Sequence, residues 1–237
     1  MVEGMKNVLR LILLLSLSVF LLAGCGGGGN ANLLKNPGFE KGNDPWHTMD
    51  SSSWSPSFDV TSSQAHSGKD SVHLALKSPD VPALNRVFGV VQDIDLTDLP
   101  EYISGYYRVE NWQKGTDFQY LQFVVIVFTT DPQTGQTANT QIRYLLAGAP
   151  SDPFEIGNAK FVFVTKDEPV TGQWVHFGRN IREDFQEKWG GVPQNITSIR
   201  LFFETRFDSP TEIQPQMAGD IYYDDLYLGP QSEAPSD

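Results

Sequence analysis

The sequence contains a single cysteine, Cys25, among 237 residues, so no intramolecular disulfide can form. Helical periodicity is almost absent: one short segment, "REDFQEKW" at 182–189, predicts a helix, and the two glycines after it favour its end. Basic residues are few, with 17 Lys and Arg against 29 Asp and Glu, for a net charge of −12. These absences argue against a disulfide scaffold, a helical bundle, nucleic-acid binding and a polybasic grip on anionic lipid.

A long hydrophobic run occurs only at the start, over residues 11–22. It is too short for a comfortable membrane span and follows Lys6 and Arg10, a pattern typical of a signal peptide. The run ends in "LLAGC", which resembles the bacterial lipobox, so we predict cleavage after residue 24 and a lipid on Cys25. The alternative is a cleaved secretory signal with an incidental cysteine.

The predicted organisation is therefore a signal peptide at 1–24, a lipidated cysteine with a glycine-rich spacer at 25–31, one domain at 32–230 and a flexible tail at 231–237. The lipid alone would hold the chain to the membrane, in the cell envelope. Gly26 is not the Asp associated with inner-membrane retention, which favours the outer membrane or cell surface.

Runs of five to twelve residues rich in Val, Ile, Phe and Tyr, separated by Gly, Pro, Asp and Ser, predict strands. They lie at 58–62, 71–77, 88–94, 102–110, 118–129, 141–146, 160–164, 174–180, 198–207 and 221–228. The stretch "NLLKNPGFEKGNDPW" at 32–46 predicts one more strand at the start. So many strands without alternating helices predict an all-β fold, an antiparallel β-sandwich or jelly roll.

Alternation along the strands separates buried from mixed faces. In 118–129 both alternating sets are largely apolar, which predicts a strand covered on both sides. In 198–207 one set is apolar, whereas the other carries Arg200, Phe202, Glu204 and Arg206. Such a mixed face is typical of a shallow sugar-binding sheet and equally of an ordinary solvated one.

Four motifs follow one another in order: "NLLKNPGFEKG…W" from 32, "AHSGKDSVHLAL" at 65–76, "GQWVHFG" at 172–178 and "GDIYYDDLYLGP" at 219–230. Together they resemble the carbohydrate-binding modules of families four, nine and twenty-two, which have a galactose-binding-domain-like jelly roll. The chain departs from those modules by longer stretches at 147–170 and around 78–86.

The resemblance implies a structural calcium where the first and last strands meet the Ser-Gly-Lys turn. Glu40 and Asp224 or Asp225 are the predicted carboxylate ligands, with backbone carbonyls near 67–70, Lys69 among them. Alternation favours Asp224 over Asp225. The alternative is that these carboxylates accept hydrogen bonds from the turn.

The resemblance also implies sugar contacts through aromatic rings, Arg and carboxylates. Trp54 and Trp112, in polar and turn-rich surroundings, are the first candidates, and Trp46 matches a tryptophan of the family's first loop. Secondary candidates on strands are Tyr106, Tyr144, Arg143 and Glu204. Packing is the alternative for each of them, and Trp174 is predicted to lie in the core.

No catalytic constellation emerges from the sequence. There is no nucleophile elbow, no zinc-ligand spacing among the four histidines and no phosphate-binding loop. We predict a non-catalytic, lipid-anchored protein that binds a polysaccharide or glycan and holds structural calcium. A structural or assembly lipoprotein that contacts a protein partner is the alternative, and a glycan-active enzyme is a third.

Overall fold

Ten strands make up about half of the computed structural model, which describes residues 32–78, 85–208 and 217–235. Their bounds are β1 Asp59–Thr61, β2 Ser71–Lys77, β3 Asn85–Asp95, β4 Tyr102–Gln113, β5 Gln119–Thr130, β6 Thr137–Ala147, β7 Ala159–Phe163, β8 Trp174–Asn180, β9 Ile196–Asp208 and β10 Ala218–Gly229. All ten of the later predicted strands are present, and five of them, β3, β4, β6, β9 and β10, are a few residues longer than predicted.

The strands form two five-stranded sheets. The first sheet has the order β1-β2-β10-β4-β8 and the second sheet the order β3-β9-β5-β6-β7. Neighbours are antiparallel except β6 and β7, which are parallel. From β2 to β5, and again from β7 to β10, the chain crosses between the sheets at each step, as in a jelly roll. The predicted β-sandwich is confirmed.

The core lies between the inner faces of the two sheets. On β5, Leu121, Phe123, Val125 and Val127 face it and are fully buried. The alternate residues of β5 are buried too, because segments outside the strands lie over much of the second sheet's outer face. The prediction that this strand is covered on both sides is therefore confirmed.

One helix, α1, spans Ile181–Trp189, one residue longer than predicted. The Asn180 side chain accepts a hydrogen bond from the Glu183 N–H at its start, and Gly190 at φ 76° ends it. Within the described residues, no helix combines the length and the hydrophobicity needed to cross a membrane. The predicted tail begins with a 3₁₀ turn at Gln231–Glu233.

The opening stretch at 32–46 is not a strand, contrary to the prediction. It runs through bends and turns, with Asn36 at φ 49° and Phe39 at φ 59°. Left-handed backbone at two such residues is incompatible with an extended strand. The stretch nevertheless lies beside the last strand, since the Leu226 N–H donates to the Pro37 carbonyl at 3.1 Å.

Asn32, the first described residue, is fastened to β10 by its side chain. Its Nδ2 donates to the Leu226 carbonyl at 2.8 Å, and its Oδ1 accepts from the Leu228 N–H at 3.1 Å. The Leu33 N–H also donates to the Leu228 carbonyl at 2.8 Å. The chain thus enters the domain at the middle strand of the first sheet.

Candidate functional site

The outer face of the second sheet carries a set of polar side chains among apolar ones. Gln122 on β5 lies opposite Glu204 on β9, and Arg206 follows Glu204 on the same face. Arg143 on β6 lies one step away, opposite Val124. We call Gln122, Arg143, Glu204 and Arg206 the polar cluster.

Hydrogen bonds join three members of the polar cluster through one oxygen. Oε1 of Glu204 accepts from Nε2 of Gln122 and from Nη1 of Arg206, the latter at 3.4 Å. Nη1 of Arg143 lies 3.9 Å from the same oxygen, within ion-pair range but beyond hydrogen-bond range. Glu204 is fully buried, so this sheet face holds a charged network shielded from water.

Asp208 completes the charge balance of the cluster. Arg206 donates to its two oxygens at 2.5 Å and 3.0 Å, and the Tyr120 hydroxyl donates to Oδ2 at 2.5 Å. Burial acts to lower the pKa of Arg206, but the neighbouring Tyr120, Glu204 and Asp208 outweigh it and raise that pKa. Burial lowers the pKa of Arg143 despite Glu204 nearby. Two guanidinium groups therefore face two carboxylates.

Trp54 bounds the cluster on the β3 side. Its ring packs edge-on against Phe202, with centroids 5.2 Å apart, and lies over Gly89. A Cβ on Gly89 would stand 3.1 Å from the Trp54 ring and 2.8 Å from Cβ of Glu204. Gly89 therefore provides the space in which the indole lies half-buried beside Glu204.

Phe154 bounds the cluster on the opposite side, from the long stretch predicted at 147–170. Its ring lies 5.3 Å from the Arg143 guanidinium and 5.5 Å from that of Arg206. It also packs edge-on against Phe161 of β7, at 5.2 Å. Two aromatic rings thus flank one polar cluster, the combination with which proteins hold sugar rings and read their hydroxyls.

Three predicted sugar-contact residues, Trp54, Arg143 and Glu204, lie together at this site. Trp46 and Tyr144 do not, and their predicted role is corrected to core packing. Trp46 is 3% exposed, packs between Phe39 and Phe203 and donates Nε1 to the Asn36 carbonyl at 2.9 Å. Tyr144 is fully buried against Phe123, with centroids 4.4 Å apart.

The other two predicted residues lie on the first sheet. Trp112, near the end of β4, is half-buried at the edge of the core and donates Nε1 to Glu168 at 2.9 Å. Tyr106 faces outward and stacks on His66, with centroids 3.6 Å apart. Trp174 also lies half-buried on this outer face, edge-on to His66, so the prediction of a core position is wrong.

Sequence reasoning missed Gln122, Arg206 and Phe154 as members of the site. Gln122 carried a signal, because it is the single polar residue between Tyr120 and Phe128 on β5. Arg206 stood in the mixed set of β9, together with Glu204. Phe154 carried no signal, since its position depends on how the segment after β6 folds back over the sheet.

The predicted calcium ligands do come together. A Cβ on Gly38 would lie 3.4 Å from Oδ1 of Asp224, 3.7 Å from Oδ1 of Asp225 and 4.0 Å from Cγ of Glu40. Two carboxylates and the Glu40 side-chain methylene therefore surround this glycine. Burial raises the pKa of Asp224 to about 6, and the charge of Asp225 adds to the rise.

The turn at 66–70 faces these carboxylates with N–H groups. Oε1 of Glu40 accepts from the N–H groups of Lys69 at 2.6 Å and Asp70 at 2.9 Å, which lowers the pKa of Glu40. Oδ2 of Asp224 accepts from the His66 N–H at 2.7 Å. Across 32–78, 85–208 and 217–235, no three His, Cys, Asp or Glu side chains are arranged to hold a metal ion. The carboxylates suit calcium by charge, but their arrangement is not a coordination site, and calcium stays a prediction.

Comparison with solved structures finds carbohydrate-binding modules of similar architecture. A tandem family 22 pair from Paenibacillus barcinonensis aligns with a TM-score of 0.47 and 16% identity, over 88% of this chain and 52% of that one. A family 61 module in complex with β-1,4-galactotriose gives 0.41 and 17%, over 84% and 99%. A family 28 module specific for non-crystalline cellulose gives 0.43 and 12%, over 83% and 94%.

The sequence comparisons add no relative: no protein-family model matches this chain, and no curated protein matches it. The fold is defined by the strands and their pairing.

Proposed function

We propose that this protein is a non-catalytic, lipid-anchored component of the cell envelope that binds a polysaccharide on the outer face of its second sheet. The observation that carries the proposal is the polar cluster flanked by the rings of Trp54 and Phe154. The C–H faces of sugar rings pack on aromatic side chains, while planar amides, guanidinium groups and carboxylates bind their hydroxyls. The four sequence motifs support the same function.

Trp54 serves as the stacking platform in this proposal. Its segment is held against β3, since the Ser55 N–H donates to the Val87 carbonyl at 2.7 Å and the Val87 N–H to the Ser53 carbonyl at 2.8 Å. The indole is half-buried, so part of the side chain remains accessible to a ligand. A ring fixed in this way loses little conformational entropy on binding.

Trp54→Ala is expected to abolish retardation of the protein in affinity gels that contain its polysaccharide. Loss of one stacked ring removes most of the stacking energy, and a tenfold loss of affinity needs only about 1.4 kcal/mol. Trp174→Ala is the matched control, because that indole is also half-buried but lies on the other sheet.

The control also locates the site. If Trp174→Ala abolishes retardation whereas Trp54→Ala does not, the binding site lies on the first sheet, which would contradict the proposal. Circular dichroism must show that the domain is folded. If the folded protein is then retarded by no polysaccharide, the result would favour the alternative of a lipoprotein that contacts a protein partner.

The anchor at Cys25 is the second part of the proposal. It rests on the "LLAGC" motif at the end of the apolar run, and the glycine-rich stretch after it would give the domain reach. Metabolic incorporation of labelled palmitate, lost in Cys25→Ser, is the expected result. Incorporation that persists in the variant would contradict lipidation at this residue.

Calcium is the third part, supported by the Asp224 and Asp225 carboxylates beside Gly38 and by Glu40, whose side chain also approaches that glycine. Glu40, Asp224 and Asp225, with the Lys69 carbonyl, would hold the ion and join the opening stretch to β10. Free calcium at about 100 times its dissociation constant is expected to stabilise the fold by about 2.7 kcal/mol.

The measurement is the melting temperature with calcium and with chelator. Asp224→Asn should remove the difference. Asp220→Asn, on the same strand and paired with His73 and Asn111, should leave it intact. If the unsubstituted protein melts at the same temperature with calcium and with chelator, the calcium site is contradicted. The alternative, in which the carboxylates only accept hydrogen bonds from the turn, would then be favoured.

A further inference from the structure

Three buried atoms of the polar cluster have no hydrogen-bond partner within the described part of the chain: Oε1 of Gln122, Nη1 of Arg143 and Oε2 of Glu204. A buried polar atom left without a partner destabilises the fold, and a charged one does so more strongly. Buried polar side chains are nearly always satisfied in folded proteins. Three unpaired atoms in one cluster, at the proposed site, indicate that a ligand completes it.

The unpaired atoms specify what that ligand offers. Gln122 and Glu204 each present an acceptor, whereas Arg143 presents a donor. A hydroxyl both donates and accepts, so two neighbouring hydroxyls satisfy all three atoms: each donates to one acceptor, and one of them accepts from Nη1. A ligand with only acceptor oxygens leaves both protein acceptors unpaired.

The charges of the cluster disfavour an anionic ligand. Arg206 is engaged by Asp208 and Glu204, and Arg143 lies within ion-pair range of Glu204. No guanidinium charge is therefore left over for a carboxylate or sulfate. An anion would stand beside a buried Glu204 in surroundings of low dielectric constant, where like charges repel strongly.

We propose, resting on the proposed glycan-binding function, that the site selects a neutral sugar unit through two adjacent hydroxyl groups. Those hydroxyls bind Gln122, Glu204 and Arg143. Uronic acids and sulfated sugars are excluded.

Phe154 lies where this sugar must enter. Its ring covers the guanidinium groups of Arg143 and Arg206. The hydrogen bonds found along its segment lie towards the ends, from the Gly148 N–H to the Asp167 carbonyl at 2.7 Å and from the Gln141 N–H to the Asn158 carbonyl at 2.9 Å. The ring can therefore shift without breaking a strand ladder, which lets the sugar reach the unpaired atoms beneath it.

The test compares neutral and acidic polysaccharides in affinity gels run with the whole protein. The probes are xylan, galactan and hydroxyethyl cellulose on one side and polygalacturonate, alginate and a sulfated galactan on the other. Retardation is expected on at least one neutral polymer and on none of the acidic ones. Retardation on acidic polymers alone would overturn this inference and leave the proposed function standing. No retardation on any polymer would defeat both.

Substitutions then test the named atoms. Glu204→Gln and Gln122→Met should each weaken binding to the neutral polymer by about tenfold or more, since each removes an acceptor for a sugar hydroxyl. Gln92→Met is the matched control, a buried glutamine on the inner face of the same sheet that bonds to the Lys35 backbone.

Glu204 lies in a charged network, so its variant is judged only if circular dichroism shows it folded. Gln122→Met changes no charge in the network, so it tests the assignment even if the Glu204 variant does not fold. Unchanged affinity in a folded Gln122→Met protein would overturn the assignment.

Discussion

Trp46→Ala is expected to lower the free energy of unfolding by about 3–5 kcal/mol, the range for removing a large aromatic side chain from a core. The indole lies 5.2 Å from the Phe39 ring and 5.9 Å from the Phe203 ring, so its loss leaves a cavity between the opening stretch and the second sheet. The Asn36 carbonyl also loses its hydrogen bond from Nε1. Because the opening stretch has no strand pairing of its own, this contact is a main source of its stability.

Urea denaturation followed by circular dichroism measures the effect. Trp174→Ala is the control, with an expected loss of about 1 kcal/mol, since that indole is half-buried on an outer face. A loss for Trp46→Ala no larger than that of the control would contradict the core assignment and reopen a surface role for Trp46.

Arg206→Met is expected to lower the free energy of unfolding by about 3–5 kcal/mol, the cost of removing one partner from a buried ion pair. Methionine preserves much of the side-chain volume and removes the charge. Glu204 is then left with the distant Arg143, and Asp208 keeps the Tyr120 hydroxyl alone. Both carboxylates lose their closest cation in a site shielded from water.

Arg182→Met provides the matched control. Arg182 pairs with Asp98 at 2.5 Å, but both side chains are well exposed, so its loss should cost about 0–1 kcal/mol. Equal effects for the two variants would show that the polar cluster is hydrated and would remove the basis for a buried charged network.

The strands could be predicted because their patterns are local. The alternation in β9 placed Glu204 and Arg206 on one face, and Gly190 marked the end of α1. The opening stretch was wrongly predicted as a strand because its apolar residues pack into the core from turns. The hydrophobic pattern does not reveal the left-handed backbone at Asn36 and Phe39. Trp46 and Tyr144 were misplaced for a related reason: an aromatic residue in a motif gives no indication of whether its ring faces a partner sheet.

The site could be predicted only in part, because it depends on contacts distant in sequence. Trp54 meets Glu204 only because Gly89 leaves room on a third segment. Phe154 reaches Arg143 because the stretch after β6 folds back across the sheet. A polar side chain within an apolar strand is the best sequence signal for such a site, and Gln122 is the example in this chain.

The fastening of Asn32 to β10 has a mechanical consequence. If the protein is tethered through Cys25 while its second sheet holds a polysaccharide, tension enters the domain at residue 32. That load passes at once into β10, which is bonded to β2 on one side and β4 on the other. Pulling on a central strand loads two ladders of hydrogen bonds together, whereas pulling on an edge strand opens one ladder bond by bond. Attachment of Asn32 to a central strand would therefore suit a domain that holds a ligand under tension.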